Sequence, residues 1–209
     1  MKTYLFDFDG TLVDSMPSYV AAMLRILDDH HIAYGEDIIK TITPLGLKGT
    51  ASYFAELGVP LSEEDIMRLM GKYLLDAYFH TIPAKPHVVE TLTRLRAEGA
   101  SLNLLTASPH ITVDPCMQRV GLTPLFDHIW SCDDFSTTKA DPAIYVQAAQ
   151  RLGVAVDEVL FLDDNLNACR TAKAAGMQVC GVYDPSSAEF ADEMRVATDG
   201  YIMDFRELL

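Results

Sequence analysis

Acidic side chains end the first apolar run of the chain. Asp7 and Asp9 lie in the segment DFDGTLVDS, close to the N-terminus. Because alternate side chains of an extended strand share a face, these two carboxylates are expected to begin on one side. Carboxylates so placed can act as a nucleophile, as a general acid or base, or as metal ligands. The structural alternative is an acidic Asp-Gly turn, which is common in proteins.

Further polar side chains end two later apolar runs. Thr106 and Ser108 end LNLLTAS, Asp163 and Asp164 end LFLDDN, and Lys139 lies in a turn before the latter. Each has an ordinary alternative, such as a helix cap or a solvated lysine. Open α/β folds bind their ligands at the carboxyl ends of the strands. Carboxylates, hydroxyls and a lysine gathered there indicate a site for an anionic substrate and a metal ion.

These side chains need a sheet to bring them together. Five short runs, nearly continuously apolar, are predicted to be buried strands: Thr3–Phe8, Ser101–Thr106, His128–Cys132, Val159–Asp163 and Gln178–Val182. Continuous apolar character is typical of a parallel sheet that is covered on both faces.

Helical patterns separate the later strands and stop at glycines. They cover His87–Glu98, Pro142–Leu152 and Asn165–Ala175, each followed by Gly. A glycine at this place is a common helix terminator. The repeated order of strand, helix, glycine and strand predicts an α/β fold with a doubly wound, Rossmann-like parallel sheet.

The segment from Ser15 to Pro86 breaks this order. It shows no strand pattern, and helical stripes cover Tyr19–His31, Gly49–Leu57 and Ser62–Phe79. We therefore predict an α-helical cap domain at residues 15–86, inserted into a catalytic core formed by residues 1–14 and 87–209.

The composition argues against nucleic-acid and membrane partners. The chain has 209 residues, and 16 basic against 30 acidic residues give a net charge of −14. The basic residues are scattered singly, so the acidic surface should repel nucleic acid and anionic lipid. Four cysteines without a CxxC pattern favour reduced thiols, and no signal-peptide or membrane-span pattern is present. We expect a cytoplasmic monomer or homodimer.

The motifs DFDGTLVDS, LLTAS, Lys139 and LFLDDN, in this order and spacing, resemble those of the haloacid dehalogenase-like (HAD) hydrolase superfamily. The resemblance covers essentially the whole chain. It implies the strand order 5-4-1-2-3 and a helical cap after the first strand. It also implies a Mg²⁺-dependent phosphatase, similar to phosphoglycolate phosphatases, that cleaves a small phosphorylated metabolite through an aspartyl-phosphate.

The resemblance also assigns roles to residues. It makes Asp7 the nucleophile and Asp9 the general acid and base, while Thr106 binds phosphate and Lys139 holds both phosphate and nucleophile. Asp164, Asp7 and the backbone carbonyl of Asp9 would bind Mg²⁺. Four further residues are expected to contact substrate: Thr11, Ala107, Ser108 and Lys48. The second aspartate, Asp9, favours a phosphate ester over a carbon–halogen or carbon–phosphorus bond.

The fourth-strand motif departs from the family pattern at two positions. Ala168 stands where many relatives have Asp or Asn, and Asp163 stands where many have Gly. Loss of an outer-shell residue is expected to weaken metal binding. Asp163 is a further candidate contributor to the metal site beside Asp164.

Substrate choice is expected to depend on the inserted segment. Lys48, in the candidate substrate loop Gly46–Thr50, could meet an anionic group, although a solvated lysine is the simpler interpretation. This loop resembles that of sugar-phosphate mutases, whose Arg and hinge His are replaced here by Ser52 and Tyr19. A mutase is therefore disfavoured. His87 is expected to be a linker residue, with substrate contact as the alternative.

Two further alternatives belong to other functional classes. A phospho-accepting signalling receiver also combines carboxylates, a hydroxyl and a lysine around Mg²⁺. Its phosphorylated Asp follows the third strand, however, and it lacks an insert of this size. The other alternative is a HAD-like binding protein without turnover, to which only Ala168 points.

Overall fold

The strands of the computed structural model form one parallel sheet. The model describes residues 2–42 and 45–209. Within these ranges the strands are β1 (Thr3–Phe6), β2 (Ser101–Thr106), β3 (His128–Ser131), β4 (Val159–Asp163), β5 (Gln178–Val182) and β6 (Gly200–Ile202). Their order across the sheet is β3-β2-β1-β4-β5-β6, and every neighbouring pair is parallel. The fold class and the implied order of the first five strands are confirmed.

The structure corrects three details of the predicted strands. The sixth strand was missed because its three residues are too few to form a recognisable apolar run. β1 ends at Phe6 rather than Phe8, since the chain turns at Phe8, whose carbonyl accepts hydrogen bonds from Leu12 and Val13. β3 ends at Ser131 rather than Cys132, where a 3₁₀ turn begins.

Helices lie before, between and after these strands along the chain. In chain order they are α1 (Met16–Asp29), α2 (Ile38–Ile42), α3 (Gly46–Glu56), α4 (Glu63–His80), α5 (Val88–Ala97), α6 (His110–Arg119), α7 (Ala143–Leu152), α8 (Leu166–Ala174) and α9 (Ala191–Ala197). The sequence patterns had not indicated α2, α6 or α9. α6 contains Pro115, a residue that normally disfavours a helix interior.

The chain divides into two compact units. The first unit combines Met1–Asp14 with Pro83–Leu209, and the second unit is Ser15–Ile82. The return segment at residues 83–86, expected in the insert, belongs to the first unit. There Ala84 forms an antiparallel bridge with Val13, and Asp14 N–H donates to the Pro83 carbonyl at 3.0 Å.

The core of the first unit covers both faces of the sheet. Leu5 and Phe161 lie on the face that packs against α7 and α8, whose buried residues include Tyr145 and Cys169. Since side chains alternate along a strand, Phe6 points to the other face. Its ring contacts that of Phe205, with 6.3 Å between centroids. Burial on both faces accounts for the continuous apolar character of β1, β2 and β4.

The second unit, Ser15–Ile82, contains helices and no strand among its described residues. α1, α2, α3 and α4 pack around an apolar core that includes Ile26, Leu27 and Phe54. Ser62 caps α4, and its hydroxyl accepts a hydrogen bond from Asp65 N–H at 3.1 Å. In the ranges that the structure describes, no helix is both long and apolar enough to span a membrane.

Candidate active site

Asp7 lies at the carboxyl end of β1, in the middle of the sheet. Its N–H donates to the Leu162 carbonyl at 2.8 Å, which keeps it in line with the end of β4. Its carboxylate is buried and accepts a hydrogen bond from the Lys139 ammonium. Burial raises the pKa of Asp7 well above its ordinary value; Lys139 opposes this rise, while the Asp163 and Asp164 carboxylates add to it.

Lys139 reaches two carboxylates from its turn before α7. The ammonium donates to Asp7, and to Asp163 Oδ2 at 2.6 Å. Burial lowers the pKa of Lys139, but Asp163 and Asp7 outweigh it and the pKa lies well above the ordinary value. Lys139 is therefore a fixed positive charge. The Tyr145 hydroxyl donates to the Lys139 carbonyl at 3.1 Å, which anchors this turn.

Asp164, just after β4, is held by the loop that follows β1. Thr11 Oγ1 donates to Asp164 Oδ1 at 3.0 Å and accepts from Asp164 N–H at 3.1 Å. Burial, followed by the charge of Asp163, raises the pKa of Asp164 to about 7. Gly10 has φ +72°, and a Cβ there would lie 2.5 Å from Asp164 Oδ2. Only glycine fits between this loop and the carboxylate.

Three carboxylates converge here and fit a hard metal ion. Asp7, Asp163 and Asp164 each offer an oxygen, and these oxygens lie within 4.8 Å of one another. Two buried carboxylates, Asp7 and Asp163, and the half-buried Asp164 lie around the Lys139 ammonium, so a divalent cation would neutralise the excess negative charge. All three donors are oxygens, the ligands that Mg²⁺ prefers. The third carboxylate of this group, beside Asp7 and Asp164, is thus Asp163. Asp9 was expected to contribute its backbone carbonyl and not its carboxylate.

Asp9 is bound to the loop after β2. Ser108 Oγ donates to Asp9 Oδ2 at 2.5 Å, and Ser108 N–H donates to Thr106 Oγ1 at 3.0 Å. Thr106 is buried at the strand end, whereas the neighbouring Ala107 is exposed. The segments after β1 and β2 therefore bring the half-buried Asp9 and Ser108 together with the buried Thr106.

Two of the predicted substrate contacts lie in unexpected surroundings. The side chain of Thr11 is fully buried, and its hydroxyl is used by Asp164. Lys48 is exposed and belongs to α3 in the second unit, so the segment Gly46–Thr50 is the start of a helix rather than a loop. His87, expected in a linker, has φ +63° and shares a hydrogen bond of 2.8 Å with Asp204 through Nδ1.

One functional candidate was missed by sequence reasoning. The ammonium of Lys85 donates to the Gly10 carbonyl at 2.7 Å. In the sequence, Lys85 fell within the predicted insert at residues 15–86, and no role was assigned to it. Ala168, the departure from the family pattern, is buried in the core; its carbonyl accepts a hydrogen bond from Tyr145 at 3.2 Å.

Comparisons with known proteins find similar sequences and similar folds. Residues 1–176 match a family model described as a haloacid dehalogenase-like hydrolase. Phosphoglycolate phosphatase from Salmonella paratyphi A is 30% identical over 200 residues, covering 85% of this chain and 79% of the relative. The fold is shared with a Thermotoga maritima protein provisionally assigned as a β-phosphoglucomutase (TM-score 0.86, 24% identity, 100% and 97% of the two chains). It is also shared with a HAD family hydrolase from Deinococcus radiodurans with bound phosphate and sodium (TM-score 0.82, 23% identity, 100% and 93%).

Proposed function

Since this chain belongs to the haloacid dehalogenase-like hydrolase family, we propose that it is a Mg²⁺-dependent phosphatase with an aspartyl-phosphate intermediate on Asp7. The observation that carries the proposal is the largely buried ion cluster at the carboxyl edge of the sheet. Lys139 binds Asp7 there, and Asp7, Asp163 and Asp164 offer oxygens to one metal ion.

The metal site is assigned to residues of the first unit. Asp7 and Asp164 would hold Mg²⁺ together with the backbone carbonyl of Asp9, and Asp163 is the additional carboxylate. The metal, when bound, supplies positive charge to the phosphoryl oxygens, which reduces their repulsion of an attacking carboxylate. Lys139 adds a second positive charge beside the Asp7 carboxylate, to which it donates a hydrogen bond in the structure.

The reaction then follows from the positions of the two aspartates. Asp7 attacks phosphorus, a bond from its oxygen to phosphorus forms, and the bond to the leaving alkoxide breaks. Asp9 gives its proton to that alkoxide and then takes a proton from the water that hydrolyses the aspartyl-phosphate. Ser108, which donates to Asp9 Oδ2, orients this carboxyl group. The Thr106 hydroxyl and the backbone N–H of Ala107 would donate to the phosphoryl oxygens.

The substrate class is a small phosphate monoester. The relative from Salmonella paratyphi A is a phosphoglycolate phosphatase, and this chain covers 79% of its length at 30% identity. That similarity supports phosphatase chemistry on a phosphorylated metabolite. Lys48 in the second unit stays a candidate contact for an anionic group of the substrate.

The proposal is tested by phosphate release with and without Mg²⁺. The purified protein would be assayed with p-nitrophenyl phosphate, then with phosphoglycolate and a panel of sugar phosphates. We expect Mg²⁺-dependent release, and the Asp7→Asn variant should lose it by about a thousandfold or more, as is typical when a nucleophile is removed. Asp192→Asn, at an exposed position of α9, is the matched control and should keep wild-type turnover.

Three results would contradict the proposal. Undiminished turnover in Asp7→Asn would remove Asp7 as the nucleophile, provided that circular dichroism shows an intact fold. No release from any phosphate ester in Mg²⁺ would indicate a binding protein without turnover. Isomerised sugar phosphate without free phosphate, read by ³¹P NMR, would indicate a mutase.

A further inference from the structure

A second, half-buried ammonium lies beside the loop that follows β1 in the first unit. Lys85 and Asp184 form an ion pair of 3.0 Å, with their side chains 13% and 1% exposed. The same Nζ donates to the Gly10 carbonyl at 2.7 Å and to the Tyr183 carbonyl at 2.6 Å. An ammonium group has three hydrogens, so these three acceptors use all of them. Lys85 is therefore fixed in one position.

The contacts of Lys85 connect two segments of the first unit, and one of these segments is the loop that holds Asp164. The Gly10 carbonyl belongs to the peptide that leads into Thr11, and the Thr11 hydroxyl carries both hydrogen bonds to Asp164. The main chain of Lys85 also binds this loop, because the Lys85 N–H donates to the Leu12 carbonyl at 2.9 Å. The orientation of the Thr11 hydroxyl thus depends on the peptide that Lys85 holds.

The second segment that Lys85 contacts is the one after β5. Tyr183 N–H donates to the Ile202 carbonyl at 2.9 Å, which ties this segment to β6. Asp184 Oδ1 accepts hydrogen bonds from both the N–H and the hydroxyl of Ser186, at 2.9 and 2.5 Å. The partners of Lys85 are therefore themselves fixed, and the ammonium has a rigid anchor.

The strand order gives this link its importance. β4 lies between β1 and β5, and Asp163 and Asp164 stand at its carboxyl end. Lys85, which bonds both the loop after β1 and the segment after β5, therefore bridges the carboxyl end of β4. Lys85 also neutralises Asp184, whose buried charge would otherwise face Asp164 and cost free energy.

We propose that Lys85 is a positioning residue, which holds the Gly10–Thr11 peptide so that Asp164 is presented to the metal ion. The inference rests on the proposed function, since it assumes that Asp164 binds Mg²⁺. A purely structural tether would contribute to folding stability but leave metal affinity unchanged. Metal affinity is therefore the quantity that separates the two roles.

The test is the Mg²⁺ dissociation constant, measured by titration calorimetry on the full chain. Lys85→Met should bind Mg²⁺ about tenfold or more weakly, the usual effect of losing an outer-shell partner. Its activity should need a correspondingly higher Mg²⁺ concentration for half-maximal turnover. Lys173→Met is the matched control, because it removes an ammonium from an exposed ion pair with Asp199. A folded Lys85→Met that binds Mg²⁺ as tightly as the wild type would overturn the inference.

A second variant, Lys85→Arg, keeps the inference testable if Lys85→Met does not fold. Lys85→Arg keeps a positive charge beside Asp184, but a planar guanidinium cannot offer three donors from one atom. We expect it to fold and still to bind Mg²⁺ more weakly. Wild-type Mg²⁺ affinity in Lys85→Arg would overturn the positioning role of Lys85.

The calorimetric measurement also separates this inference from the proposed function. If the wild type binds Mg²⁺ but hydrolyses no phosphate ester, the phosphatase proposal fails while the Lys85 comparison still gives its answer. If the wild type binds no Mg²⁺, the inference about Lys85 is overturned.

Discussion

Two hydrogen bonds join the Thr11 hydroxyl to Asp164, 153 positions away in the sequence. The Thr11 hydroxyl donates to the Asp164 carboxylate and accepts from the Asp164 N–H. This arrangement fixes the main chain and the side chain of Asp164 together. Thr11, for which the sequence suggested substrate contact, is fully buried, and we propose that it orients the metal ligand.

Thr11→Val should therefore weaken Mg²⁺ binding with little change in shape. Valine has nearly the same size but neither donates to nor accepts from Asp164, so the carboxylate gains freedom. We expect the Mg²⁺ dissociation constant to rise by about tenfold or more. Thr171→Val, on α8, removes a hydroxyl bonded only within its own helix in the structure, to the Asn167 carbonyl, and is the control. Equal Mg²⁺ affinities for Thr11→Val and the wild type would contradict the role given to Thr11.

Gly10→Ala should disturb both stability and the metal site. The positive φ of Gly10 costs an alanine about 1–2 kcal/mol, and the added Cβ would collide with the Asp164 carboxylate at 2.5 Å. Gly99→Ala is the matched control, since Gly99 has φ +87° but its Cβ would meet no atom within 4 Å. Denaturant unfolding should show a loss in both variants, and metal titration should show a loss only in Gly10→Ala. The same Mg²⁺ affinity in both would argue against the contact with Asp164.

Mg²⁺ should stabilise the folded protein against heat. Because a ligand that binds only the folded state favours it, Mg²⁺ at a hundredfold excess over its dissociation constant should add about 2.7 kcal/mol. This corresponds to a rise in Tm of roughly 5–10 °C for a chain of this size. In Asp164→Asn the rise measured after adding Mg²⁺ to chelator-treated protein should shrink strongly. A full rise in that variant would show that the metal binds elsewhere.

His110 should make the stability of the first unit depend on pH. Its imidazole bonds Asp114 at 3.0 Å and Asp134 at 2.9 Å, and these carboxylates raise its pKa above the ordinary 6.5. A raised folded pKa means that the stabilisation is complete below pH 6.5 and is lost as the pH rises through the folded value. The Tm difference between wild type and His110→Gln should therefore be larger at about pH 6 than at about pH 9. Equal differences at both pH values would exclude this contribution.

Much of the fold could be predicted from local pattern. Central strands such as β1 and β4 are buried on both faces, so their apolar runs were visible in the sequence. The edge strand β6 has only one buried residue, Ile202, and therefore shows no apolar run in the sequence. The helix α6 was hidden by Pro115, which sequence rules treat as a helix breaker.

The candidate site was predictable only in part. Asp7, Asp9 and Asp164 follow strand ends, so their meeting at one edge follows from the topology. Lys85 could not be found in this way, because its contacts with Gly10 and Asp184 join positions 75 and 99 apart. Such contacts depend on how the loop after β1, the segment after β5 and the return segment at residues 83–86 fit together, and the spacing of residues in the sequence does not indicate them.

The two places where the chain leaves and re-enters the first unit lie side by side. Asp14 N–H bonds the Pro83 carbonyl, and Val13 pairs with Ala84. The first unit therefore closes its own structure across this junction, whatever chain is inserted there. Because doubling a loop's length costs only about 0.6 kcal/mol, the insert can be lengthened, shortened or exchanged in evolution at little cost to the sheet.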